Sequence, residues 1–170
     1  MGNFPKELDS AWRQWQREVG RELTDAEGVA VEEGLFQSWV DQERYDELIR
    51  RIHSEYDVEG GEQQIMILGY ALRKAKDVAR IHLLFQGLVS RRLKSFWSAW
   101  RKAEHGHVGS MLLAAQRYAA AMHAYLEYYQ SVWSLGLNDE CSRIQAEMVA
   151  LQQRQKLPKK SRSRPTNRSI

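Results

Sequence analysis

Apolar residues recur along this chain at steps of three and four, the spacing that lines one face of an α-helix, and nowhere do they alternate with the period of two expected of a half-buried strand. Leu8, Trp12, Trp15, Val19 and Leu23 trace a first stripe, on a helix opened by Pro5, whose fixed φ suits a first turn. Thr24-Asp25-Ala26-Glu27 has the form of a capping box, in which the Thr hydroxyl and the Glu carboxylate cover free backbone N–H groups. It predicts a second helix over 25–40 with Val31, Leu35, Phe36, Trp39 and Val40 inward. A short break at 41–43 precedes the cleanest amphipathic stripe in the chain, Tyr45, Leu48, Ile49, Ile52 and Tyr56.

Gly60-Gly61 marks a turn. Beyond it, Ile65, Leu68, Leu72, Ala75, Ala79 and Leu83 predict one fourth helix, apolar on more than one side through Met66, Ile67, Tyr70 and Ile81, and therefore central; Gly87 either ends it or lies within it. The fifth segment sets Leu88, Val89, Leu93, Phe96, Trp97 and Trp100 on one face, with Arg91, Arg92, Lys94, Arg101 and Lys102 around the other. His105-Gly106-His107-Val108-Gly109 closes it, and Ser110 is the expected N-cap of a sixth helix over 111–135. That helix presents Ala115, Tyr118, Ala119, Met122, Tyr125, Leu126, Tyr129, Val132 and Trp133. Gly136 suits a helix end and Asn138 the next N-cap, before Cys141, Ile144, Met148 and Leu151 form a last stripe. About seven helices with short connections, and no proline between Pro5 and Pro158, predict an all-α fold of antiparallel helical hairpins, as a bundle or a short array.

Two stretches are similar to tetratricopeptide hairpins. Leu35, Trp39, Tyr45, Leu48, Ile49 and Ile52 follow that repeat's spacing of large residues, as do Gly109, Leu112, Tyr118, Ala121 and Tyr125. Phe36 and Leu48 stand where the repeat wants small residues, and 63–104 departs from its period. The resemblance implies shared hairpin geometry over a quarter of the chain, and no membership of the family.

Composition adds a charge layout. Of 170 residues, 43% are apolar and 28% charged, which suits one folded domain over 1–153. Residues 1–62 hold 7 basic and 16 acidic side chains, a balance of −9; residues 63–109 hold 9 and 2, a balance of +7. The segment 154–170 holds seven Lys and Arg, no acid and few apolar residues, and is expected to be a disordered basic tail. The acidic third either packs against the basic middle or leaves it free for a ligand. One cysteine, no secretory pattern and no apolar run near the roughly 20 residues of a membrane span predict a cytoplasmic protein with no membrane association.

The search for chemistry finds little. His105 and His107 form a close pair in a Gly-rich turn, without a Cys, Asp or Glu set to complete a metal site. Cys141 follows Asp139 and Glu140, which oppose a thiolate, and reads as a small buried hydrophobe; His123 lies where it could bond a tyrosine. Phosphate loops, nucleophile elbows and zinc-protease motifs are missing, so neither a cofactor nor an enzyme is expected. The expected function is a non-enzymatic interaction module, an adaptor, chaperone or inhibitor of an unidentified partner protein, with Tyr118, Tyr125, Tyr128 and Trp133 as partner-binding candidates. Most of this run, Trp133 included, sits at helical spacing and is expected in the core, with Tyr128, beside the stripe, left at the surface. Self-association into a homo-oligomer is a further possibility. The alternative is a nucleic-acid-binding accessory or regulatory protein. Its phosphate contacts would be Arg73, Lys76, Arg80, Arg91, Arg92, Lys94, Arg101 and Lys102, joined by Lys159, Lys160, Arg162 and Arg164 of the tail.

Overall fold

Seven helices follow from these patterns in a computed structural model that describes residues 4–156: α1 (Phe4–Val19), α2 (Asp25–Asp41), α3 (Tyr45–Glu55), α4 (Glu62–Lys74), α5 (Val78–Glu104), α6 (Val108–Ser134) and α7 (Asn138–Arg154). No strand occurs among the described residues. Lys159, Lys160, Arg162 and Arg164 lie outside them. Each helix packs on its successor, α2 also lies beside α4, α4 beside α6, and α3 beside α5. The result is a helical array in which α2, α4 and α6 lie side by side and α3 and α5 pack on them, with α1 and α7 at its two ends.

Local chemistry explains where the helices start and stop. The capping box at Thr24 is formed, with Glu27 N–H on the Thr24 hydroxyl and Thr24 N–H on the Glu27 carboxylate. Four connections share one geometry. In each, a residue with positive φ (Glu43, Lys76, Gly106 or Gly136) follows the helix, and the next N–H bonds the carbonyl five residues back, as Arg44 does to Trp39 and Asp77 to Leu72. This is the Schellman closure, which satisfies helix-end carbonyls in three residues and turns the chain back on itself. Two of the four use glycine; Glu43 and Lys76 adopt the same left-handed turn with a side chain.

The Lys76 turn corrects the expected fourth helix. The stripe from Ile65 to Leu83 is broken at 75–77, where Asp77 caps α5 by accepting from Arg80 N–H. Ile65, Leu68 and Leu72 are buried, whereas Ala75, Ala79 and Leu83 are exposed. No glycine or proline marks the break, and the apolar spacing runs through it by coincidence. α5 then continues past Gly87 for 27 residues. The caps expected at Ser110 and Asn138 fall one to three residues late, since the helices begin at Val108 and Asn138 behind His107 and Leu137.

The core runs through all seven helices, from Phe4 and Trp39 through Ile52, Leu68, Phe85 and Phe96 to Val132 and Ile144. α1 joins it least. It packs along α2 alone, and Trp12 lies so close to Gly28 that a Cβ there would sit 2.1 Å from the ring. Its first turn reaches further, as Glu7 receives a two-pronged bond from Arg44 at 2.9 and 3.0 Å, while Phe4 packs tilted against Trp39 of α2, ring centroids 4.1 Å apart. Among the described residues, no helix is long and apolar enough to cross a membrane.

Candidate interaction surfaces

The aromatic run of α6 is mostly inward, as its helical spacing predicts, but not at the positions expected. Tyr128, expected outside, is 2% exposed because α6 turns it toward α5, where it stacks on Phe85 at 5.6 Å. Its hydroxyl accepts from Arg143 at 3.2 Å and bonds Nδ1 of His82. Tyr125 is buried too; its hydroxyl donates to Glu147 at 3.1 Å, and burial beside that carboxylate holds its pKa well above the tyrosine range. Tyr118 is half-buried against Phe96. Trp133, expected inward, is 65% exposed, as is Leu126 at 52%. The four candidates therefore do not form one docking face, because α5, α6 and α7 bury a helix side about one position away from the stripe read in one dimension. His123 makes no tyrosine bond, and its Nδ1 is buried without a partner.

The basic candidates separate into three groups. Arg92 is fully buried and is no phosphate contact. Its guanidinium donates to the carbonyls of Tyr56 at 3.0 Å, Gly60 at 2.8 Å and Ala120 at 2.9 Å. Arg80 is held by Asp46 at 2.8 Å and Asp77 at 2.7 Å. Among the described residues, Arg80–Asp46 is the ion pair that joins the acidic third to the basic middle, so the two blocks are not broadly neutralised by contact. Arg73 and Lys76 lie at the end of α4, with Arg73 over Tyr70 at 5.6 Å. Arg91, Lys94, Arg101 and Lys102 remain exposed on α5.

Two concavities were not anticipated. One, of about 410 Å³, runs between α1 and α2 and is lined by Ala11, Trp15, Val19, Leu23, Glu27, Ala30, Val31, Gly34, Leu35 and Ser38. Trp15 is 49% and Val19 37% exposed there, since no third helix covers α1. A glycine in the middle of α2, opposite a tryptophan stripe, was the available sequence signal. The other, of about 470 Å³, lies between α5, α6 and the α3–α4 connection and includes Arg91, Lys94, Lys102 and Arg117. Arg117 stands alone in an alanine-rich helix and has no pattern to announce it. His105 and His107 are exposed in the α5–α6 connection, and Cys141 is buried. No family model, no curated protein and no solved structure matches this chain, so these surfaces stand on their own chemistry.

Proposed function

We propose that the chain is a non-enzymatic interaction module, an adaptor, chaperone or inhibitor, that receives an apolar helix of a partner protein in the groove between α1 and α2. The observation that carries the reading is the groove's glycine floor. Gly34 lies in the interior of α2, where glycine costs about 1 kcal/mol relative to alanine, yet a Cβ built on it meets nothing within 4 Å. Nothing within the chain asks for glycine there; a helix lying in the groove would, since the missing side chain lets its backbone approach.

Trp15, Val19, Leu23, Val31 and Leu35 would then be covered, as in ordinary three-helix packing. The groove belongs to the segment of balance −9 and has Glu27 on its wall, so a partner helix flanked by Lys and Arg is the complementary one. A second reading, a nucleic-acid-binding accessory protein, is favoured by the exposed cations of α5. The two surfaces lie on different helices and are compatible.

Titration of the isotope-labelled chain with a synthetic Leu-rich helix flanked by lysines tests the first reading. Chemical-shift changes confined to residues of α1 and α2, weakened in Gly34→Ala and abolished in Gly34→Trp, are expected. Binding untouched by Gly34→Trp would overturn it, and a concentration-dependent dimer that Gly34→Trp dissolves would assign the groove to a second copy instead.

A further inference from the structure

Most arginines of this fold are committed. Arg44, Arg51, Arg80 and Arg143 are each held by carboxylates, and Arg92 by carbonyls. Arg91, Lys94, Arg101 and Lys102 are different. All four are exposed, and none takes part in an ion pair among the described residues. Their spacing of three, seven and one places them along one side of α5, and a rise of 1.5 Å per residue spreads them over about 16 Å. The one acid on α5 is Glu104 at its end, near Arg101, and it forms no ion pair with any of the four.

Beside this row the cavity between α5, α6 and the α3–α4 connection brings together Arg91, Lys94, Lys102 and Arg117, with the hydroxyls of Ser95 and Ser98 between them and Asp57 as the one carboxylate on its wall. Arg117 is the telling member. Its Nε and Nη1 are buried with no hydrogen-bond partner, and its charge is met by Glu59 alone, 3.9 Å from Nη2. A guanidinium taken out of water normally carries its acceptors with it. Here four cations surround a cavity whose single lining carboxylate cannot balance them, which calls for a multiply charged, acceptor-rich anion. Phosphate has that chemistry.

We infer that this cavity and the α5 row form a binding face for the phosphate backbone of a nucleic acid, independent of the groove between α1 and α2. Successive phosphates of one strand meet the cations along the row, Arg91 and Lys94 toward one end and Arg101 and Lys102 toward the other, with Arg117 beside them. Arg154 at the end of α7 joins the row: its guanidinium lies over Trp97 at 4.6 Å, beside Lys94 and Arg101. A row longer than one phosphate, lying on an exposed helix, suits a polymer better than a free anion. The face offers cations and serine hydroxyls, groups that meet phosphate, so binding is independent of sequence.

The test is fluorescence anisotropy of labelled duplex and single-stranded oligonucleotides with the full chain at two salt concentrations. Binding that weakens steeply with salt is expected, and Arg91→Ala, Lys94→Ala and Lys102→Ala combined should weaken it at least tenfold and flatten the salt slope by about three. A control carrying Arg73→Ala, Lys74→Ala and Lys76→Gly removes the same charge elsewhere and should cost far less, with helicity by circular dichroism unchanged in both variants. The Arg117 Nε–H resonance should shift on adding oligonucleotide. No binding at low salt, equal losses in the two triple variants, or a response to inorganic phosphate or a mononucleotide without oligonucleotide binding would each overturn the assignment.

Discussion

A guanidinium removed from water must bring hydrogen-bond partners with it, and Arg92 finds its three partner carbonyls on two other segments. The carbonyls of Tyr56 and Gly60 belong to the α3–α4 connection and that of Ala120 to α6, so one side chain on α5 ties three parts of the fold together. Burial pushes its pKa down, while Glu62, Glu59 and Asp57 act the other way. Arg92→Met keeps the volume but strands three carbonyls; a loss of about 3 kcal/mol or more is expected by urea denaturation. His53, on α3, offers a pH test. Its Nε2–H donates to the Leu84 carbonyl at 2.9 Å, and its ring lies against Gly87. Burial is the main cause that lowers its pKa, Arg91 adds to it, and the Leu84 bond opposes it. A depressed histidine contributes stability that is complete above the unfolded pKa near 6.5 and is lost as pH falls through the folded value. Stability should therefore decline below about pH 6.5, and His53→Gln should shrink that decline when both proteins are unfolded at pH 7.5 and 5.5.

At the scale of helices and their connections, the fold reuses one turn. Schellman closures end α2, α4, α5 and α6, and two of them place Glu43 and Lys76 at φ 58° and 56°. The left-handed region costs a residue with a Cβ roughly 1–2 kcal/mol, offset in part by glycine's larger loss of freedom on folding, roughly 0.5–1 kcal/mol. Lys76→Gly should raise stability by up to about 1 kcal/mol, a rise of roughly 2–4 °C in Tm for a chain of this size, by calorimetry. A Tm unchanged or lowered would mean that the Lys76 side chain makes a contact that matters. The same turn explains why α4 and α5 read as one helix: a lysine in place of glycine removes the breaker signal while leaving the geometry intact.

For the whole molecule, the unequal support of the helices decides how it moves. α5 and α6 are 27 residues each, packed along one another and flanked by α3, α4 and α7, whereas α1 leans on α2 alone. The tie at Glu7 and Arg44 holds only the first turn of α1. Amide hydrogen exchange should therefore find α1 opening at lower free energy than any other helix, its C-terminal half first, with α5 and α6 exchanging only on global unfolding. Exchange of α1 as slow as that of α5 would show that the hairpin is supported by more than α2. A hairpin that opens easily and carries an uncovered apolar groove is also the part of the molecule most altered by an occupant.

The sequence by itself determined the helical class, the number of helices, the capping box at Thr24, the turn at Gly60-Gly61 and the inward face of α3. Each follows from residues within about four positions of one another, where backbone hydrogen bonding and cap chemistry act. It also held the charge layout, which no folding can change. Tertiary structure decided which cations are free: Arg80 is paired by Asp46 from α3, Arg92 is buried by carbonyls from two other segments, and Arg91, Lys94 and Lys102 are left beside Arg117. It likewise turned Tyr128 in and Trp133 out, and left Trp15 uncovered. Burial and pairing depend on neighbours far away in the chain, 36 positions for Arg92 and Tyr56 and 46 for Tyr128 and His82, and periodicity along one helix carries no record of what packs against it.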